Sequence, residues 1–332
     1  YLRKSKSDKN MWLKLRLYLV MALLFSIIYG LVIVVMNIAG LSSLGGFYFY
    51  GILASVMLLI QYMIGPKLVE WTMGVKYVSE QDAPLLHRMV AELARDAGIP
   101  KPRVGIAKIP IPNAFAFGRW ASDGRVCVTE GIMNLLDEKE LKAVLGHEIS
   151  HLKHKDVVVI TMISVIPMIA WYLAGNSLFS GNRGRGNNIL IGIAAFAVYL
   201  ITNLLVLYVS RIREYYADEG SVQLGNQPHY LASALYKLVY GSAKVSKDTL
   251  RPVEGMKAFF ANDPSRAAVE IRELSQLDLD GSGTIDFNEL MALRAKPVKI
   301  KTTDKILEML STHPNMLKRI QRLSMLQGTS AY

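Results

Sequence analysis

The sequence predicts a mainly α-helical integral membrane protein, with four transmembrane helices and a cytoplasmic α+β domain containing a small sheet. Two observations predict it. Of the 332 residues, 52% are hydrophobic, the mean hydropathy is +0.26, and the apolar residues gather into blocks. Four blocks, residues 17–39, 47–64, 157–179 and 189–210, contain no Asp, Glu, Lys, Arg or His. Each has about the 17–25 residues that a helix needs to cross a bilayer. Buried core helices seldom run so long without a charge. The second observation is that the stretches between and after the blocks alternate helical and strand patterns with polar turns.

Charge sets the orientation. Arg3, Lys4, Lys6, Lys9, Lys14 and Arg16 precede the first block, which places the N-terminus in the cytoplasm of a protein of the cell membrane. The loop GLSSLGG (40–46) is uncharged and falls outside. Arg183 and Arg185 oppose this orientation and are outweighed by the larger cytoplasmic excess. The first block is too long for a cleaved signal peptide and stays as an anchor. Four regions follow: 1–66, a membrane hairpin; 67–156, a cytoplasmic α+β part; 157–210, a second hairpin; and 211–332, a cytoplasmic helical part. The net charge of +11 flanks the membrane blocks, so the lipid bilayer and not nucleic acid is the partner expected. Cys127 stands alone, which excludes an internal disulfide and a cysteine-rich zinc site.

Within 67–156, PLLHRMVAELARDAGI has helical periodicity and stops at Gly98 and Pro100. RVGIAKI, AFAFGRW and RVCVTEG read as strands, the last two joined at Ser122-Asp123-Gly124 as a hairpin. LLDEKELKAVLGHEISHLKHKD reads as a helix capped by Asp137, with Glu140 in the capping-box position. It is expected to continue into the third block. SRIREYYADEG extends the fourth block as a helix.

His147-Glu148-x-x-His151 has histidines four apart on a helix, so both can ligate one zinc ion from the same face. The intervening glutamate can reach water at the metal as a general base. A catalytic zinc needs a third protein ligand, and Glu214 is the best candidate; pairing with Arg211 or Arg213 is its bland alternative. Asp218, one turn later, is placed to accept a hydrogen bond from a ligand histidine. His154 shares the face of His151 and could compete as a ligand, though only the 147/151 pair has the catalytic spacing to Glu148. His151 precedes Val157 by six residues, about 9 Å of helix, and Glu214 follows Ser210 by four, about 6 Å. An antiparallel membrane hairpin would bring the two ligand sets to nearly the same height.

PNAFAFG, GHEISH, SRIREYYAD and STHPNMLKRI occur in that order, and with them the chain resembles the HtpX family. These are membrane-embedded zinc metalloproteases related to the CAAX prenyl proteases. The resemblance implies a zincin-like domain with one zinc at His147, His151 and Glu214, and Glu148 as base. It implies that Asn113, Ala114, Phe115 and the rest of the segment to Gly118 line the cleft as a sheet edge, to which an extended polypeptide substrate adds. It places His313 and Arg319 near substrate carbonyls or the oxyanion. The substrates it implies are misfolded or damaged membrane proteins cut on the cytoplasmic side.

Residues 278–289, DLDGSGTIDFNE, fit an EF-hand loop that the family pattern does not call for. Asp278, Asp280 and Ser282 hold positions 1, 3 and 5, Gly283 turns at 6, Thr284 offers its carbonyl at 7, Asp286 holds 9 and Glu289 holds 12. Helical sequence flanks it at 264–277 and 287–295. A Ca²⁺ ion is therefore expected, with modulation of cleavage as a further expectation. Two other readings compete with the peptidase. A calcium-binding membrane adaptor with a vestigial zinc site requires a lost catalytic position, and none is missing. A metal transporter would place its ligands near the bilayer midplane, whereas these lie outside the apolar blocks.

Overall fold

The computed structural model describes residues 59–60, 62–156, 158–160, 163, 167, 170, 171, 174, 185–243, 267–296 and 308–327. The first apolar block, the basic N-terminus, the loop 40–46 and Arg183 lie outside the described residues, as does most of the second block. Chain contacts divide the protein into two compact units, Tyr1–Ile64 with Val159–Ile212, and Gly65–Val158 with Arg213–Tyr332.

In the first unit, Trp171 lies against Tyr199 and Phe196. Gly192–Gln223 is the one helix among the described residues long and apolar enough to cross a membrane. In its most apolar window 28% of the residues are buried. Leu190, Ile193, Leu200 and Ile201 are exposed.

The second unit is built on a four-stranded sheet of order β1-β2-β4-β3, with β1 at Val75–Tyr77, β2 at Arg103–Ala107, β3 at Ala114–Phe117 and β4 at Arg125–Thr129. β2 and β4 run parallel, and β1 and β3 pair antiparallel on the two outsides. The strands RVGIAKI, AFAFGRW and RVCVTEG are where their patterns put them. The join between β3 and β4 is longer than a two-residue turn, because a 3₁₀ turn at Ala121–Asp123 intervenes. β1, with three residues, is too short for alternation to reveal it.

Eight helices are found among the described residues. α1 spans Pro84–Ala97 and ends on Gly98, whose φ of 71° gives the left-handed C-cap that glycine accepts without strain. Its Leu86, Met89, Val90 and Leu93 recur every three or four residues and are buried, each contributing about 1.5–3 kcal/mol by leaving water. α2 is Glu130–Leu135, capped by Thr129. α3, Glu138–Lys153, packs between α1 and α5, Pro228–Ala243. α4 is Arg185–Gln223, and its residues from Arg213 belong to this unit. α6, Ala267–Leu274, α7, Phe287–Ala295, and α8, Met316–Leu326, complete it.

One expectation is corrected. α3 does not run on into the third apolar block. It stops at Lys153, His154 and Lys155 form a turn, and helix resumes at Asp156. Lys155 has φ +56°, a left-handed conformation that no continuous α-helix tolerates.

Candidate metal centre

The helix α3 begins with the expected capping box. Asp137 accepts from the backbone N–H groups of Lys139 and Glu140, and Glu140 returns a hydrogen bond to the Asp137 N–H. Glu140 is itself buried and receives Ser233 Oγ at 2.6 Å and Lys237 Nζ at 2.8 Å from α5. The start of the helix is thereby tied to the core. Further along, Ala143 through Ser150 are all buried, so this turn carries its polar residues inward.

Two glycines let α4 approach α3. A Cβ on Gly146 would meet Asn226 Nδ2 at 2.4 Å and Ser221 Oγ at 2.9 Å, and one on Gly220 would meet Ser150 Oγ at 2.0 Å and Ser150 Cβ at 2.7 Å. Ser221 Oγ donates to the Ala143 carbonyl at 2.6 Å. The close crossing brings Glu214 opposite the two histidines.

At the centre, His147 Nε2 and His151 Nε2 lie 3.1 Å apart. Glu214 Oε2 is 3.6 Å from the first and Oε1 is 3.5 Å from the second. The opposite ring nitrogens are both occupied. His147 Nδ1 faces Asp218 Oδ1 at 2.9 Å, and His151 Nδ1 faces Asp156 Oδ2 at 2.7 Å. Each imidazole is thus held as the Nδ1–H tautomer, with the Nε2 lone pair turned to the shared point. Four ligands about 2.0–2.1 Å from a tetrahedral zinc ion stand about 3.3–3.4 Å from one another, close to the three separations found here.

The charges fit a dication as well. Glu148, Asp156, Glu214 and Asp218 are buried, with Arg213 paired to Asp156 and Arg319 to Asp218 and Glu214, and a cation at the shared point is favoured by such a grouping of carboxylates in a low-dielectric interior. The carboxylates are felt by the rings. Burial alone would depress His147, but Asp218 and Glu214 raise it above its ordinary value. His151 is likewise raised by Glu214 against the same desolvation. Burial pushes the Glu148 carboxyl up, opposed by the two histidines and by the Ala116 N–H.

That N–H belongs to the open edge of the sheet. Asn113 and Thr129 exchange hydrogen bonds across β3 and β4, through Thr129 N to Asn113 O at 2.9 Å and Asn113 N to Thr129 Oγ1 at 2.8 Å. With Ala114 opposite Val128, the alternation of an antiparallel ladder turns the N–H and C=O groups of Ala114 and Ala116 away from β4. Asn113, Ala114 and Phe115 are themselves buried, and Phe115 stacks on Phe117.

Arg319 is fully buried on α8. It donates to Asp218 from Nε at 2.9 Å and from Nη2 at 2.6 Å, and its Nη1 lies 3.1 Å from Glu214 Oε2. His313 Nδ1 is 3.3 Å from the same oxygen. His154 does not join the group; its Nδ1 accepts from Ser150 Oγ or lies on the Ser150 carbonyl. Arg213 pairs with Asp156 and not with Glu214. The sequence reading missed Asp156, because a residue five places after His151 faces elsewhere on a regular helix, and it offered Arg213 only as a partner of Glu214.

Residues 80–327 match peptidase family M48. The chain belongs to this family. Among M48 relatives, it is 56% identical over 243 residues to a protease HtpX homolog of Methanothermobacter thermautotrophicus, covering 73% of this chain and 91% of that one. It is 33% identical over 330 residues to protease HtpX homolog 2 of Methanosarcina mazei, covering 98% of both. The fold is similar to the crystal structure of S. mikatae Ste24p, with a TM-score of 0.50 and 16% identity over 95% of this chain and 66% of that chain. The M48 member described here is therefore a metalloprotease of the HtpX type.

The second acidic group lies apart from the centre. Asp278, Asp280 and Glu289 each present a carboxylate oxygen within 4.8 Å of the others. Ser282 N donates to Asp278 and Asp280, and Gly283 N to Asp278. Leu279 N and Asp286 N donate to the two oxygens of Glu289. Asp286 caps α7, and Ser282 Oγ lies 2.9 Å from Thr284 Oγ1. Glycines 281 and 283 both have positive φ.

Proposed function

We propose that this chain is a zinc-dependent endopeptidase embedded in the cell membrane, with His147, His151 and Glu214 holding the metal and Glu148 as the general base. The observation that carries the reading is the pair of Nε2 atoms 3.1 Å apart, aimed with Glu214 at one point by carboxylates on their far sides. When bound there, zinc supplies a Lewis acid that acidifies water and polarises a carbonyl. Glu148 takes the proton from the attacking water and delivers it to the leaving amine. The Ala114 and Ala116 edge of β3 receives an extended polypeptide by backbone hydrogen bonds. His313, at the edge of the group, faces the substrate carbonyl, while Arg319 holds Asp218 and Glu214 in place.

The four-span topology, the cytoplasmic site and misfolded membrane proteins as substrates belong to the same proposal, supported by the exposed apolar helix at Gly192–Gln223. The test is cleavage of an unfolded polypeptide by the detergent-purified chain beside Glu148→Gln, with zinc measured in both. One zinc in each and cleavage only by the native chain is expected. Absence of zinc from the native chain, or full cleavage by Glu148→Gln, refutes the assignment.

The loop 278–289 supports a Ca²⁺ site, on the grouping of Asp278, Asp280 and Glu289 within the EF-hand pattern. Tyr236 Oη donates to Asp278 from α5, the helix that grips Glu140 at the start of α3, which gives calcium a route to modulate cleavage. Calcium titration should release heat that disappears in Asp278→Ala/Glu289→Ala. No heat from the intact chain removes the site, and equal cleavage with calcium and with a chelator removes the modulation.

A further inference from the structure

In an unbroken α-helix, a residue five places on lies about 140° around the axis, so Asp156 would point away from His151. The turn at His154–Lys155 changes that. Lys155, with φ +56°, is the one non-glycine residue of positive φ among the described residues. Lysine disfavours this region, so its surroundings must hold it there. Arg213 supplies the hold. Its Nη2 donates to the His154 carbonyl at 2.9 Å, and its guanidinium ion-pairs with Asp156 Oδ1. Asp156 is thereby swung back until Oδ2 stands 2.7 Å from His151 Nδ1. Both members of the ion pair are buried.

The result mirrors the other ligand. His147 is backed by Asp218 and Asp218 by Arg319; His151 is backed by Asp156 and Asp156 by Arg213. We propose that Asp156, clamped by Arg213, is a positioning residue for the metal centre. It accepts the Nδ1 proton of His151 and so fixes the tautomer and ring angle that aim Nε2 at the ion. Arg213 compensates the carboxylate charge and anchors the turn that carries it. Because Arg213 directly precedes Glu214, one turn of α4 both supplies a ligand and locks its neighbour. The inference rests on the zinc reading above.

The test uses the full chain in detergent, with Zn²⁺ affinity from competition with a chromophoric chelator and the visible spectrum of the Co²⁺ form. Asp156→Ala should weaken zinc by about 10–100-fold and change the cobalt bands. Asp156→Asn, whose amide oxygen still accepts from Nδ1–H, should recover most of the affinity. Arg213→Met should weaken zinc in the native background and have no further effect on Asp156→Ala, as expected of a residue acting through another. Native zinc affinity and cobalt bands in Asp156→Ala overturn the assignment and leave the zinc reading standing. A native chain that binds no zinc removes both. Where circular dichroism shows Asp156→Ala unfolded, Arg213→Lys decides: it keeps the charge but loses the guanidinium that reaches both the His154 carbonyl and Asp156, and unchanged cobalt bands overturn the assignment.

Discussion

Replacing Gly220 by alanine probes how the ligands are brought together. The added methyl would lie 2.7 Å from Ser150 Cβ and 2.0 Å from Ser150 Oγ. Carbon atoms settle about 3.5–4.0 Å apart, so the Cβ pair is short by about 0.8–1.3 Å. The hydroxyl can rotate away, but Ser150 Cβ is fixed to the backbone of α3. The end of α4 must therefore withdraw by about 1 Å, taking Glu214 with it and widening its 3.5 and 3.6 Å separations from the imidazoles. Overpacking of this kind costs about 1–3 kcal/mol of stability, and an error of about 1 Å in a catalytic group costs about 100-fold in rate. The assay is cleavage rate with zinc affinity and a thermal melt on the same preparation. Adding Ser150→Gly removes the obstructing Cβ. It costs about 0.5–1 kcal/mol as a helical glycine but should restore rate and affinity relative to Gly220→Ala. Native rate and affinity in Gly220→Ala, or a double variant no better than the single, would refute the reasoning.

Two further predictions concern the sheet. Asp123 accepts from Arg119 Nε at 2.7 Å and pairs with Arg125 Nη1 at 2.8 Å, and Arg119 first, with Arg125, holds its carboxyl well below the usual range. A carboxyl depressed in the folded state stabilises above its unfolded pKa of about 3.9, and the contribution is lost as pH falls below that. Asp123→Asn should therefore lower stability at pH 7 by about 1.5 kcal/mol, the worth of a charge-assisted hydrogen bond, since Arg125 keeps Glu70 at 2.9 Å as its other charge partner, and the gap should narrow from pH 5 towards pH 3; a gap that is constant with pH contradicts this. Burial pushes the Cys127 thiol up to about 12, so at pH 8 alkylation should be undetectable in the native chain and complete in denaturant. Rapid native labelling would show that β4 is not covered as described.

The parts of this protein legible in its sequence are those fixed by near neighbours. The His147–His151 spacing, the Asp137–Glu140 capping box and the glycine stop of α1 each depend on residues within a turn or two, and each is found. The pairing of Glu214 with the histidines was readable because the residue type and its flanking apolar block limited the choice. The order β1-β2-β4-β3 was not, since β1 is a three-residue strand and pairing across 30 residues leaves no local trace. Asp156 was hidden by a single dihedral. Without the left-handed Lys155, the same sequence would have sent its carboxylate elsewhere, and no periodicity marks that departure.

The placement of Arg319 has a consequence for biosynthesis. Its side chain closes on Asp218 and approaches His147 Nδ1 to 3.4 Å from 172 residues further along the chain. Chains fold from the N-terminus as they are made, so the histidines emerge long before the arginine that completes their surroundings. Until α8 has been synthesised and docked, Asp218 lacks its fork and Glu214 its nearest cation. The surroundings of the centre are therefore complete only once α8 has docked, whatever the state of the helix that carries the histidines.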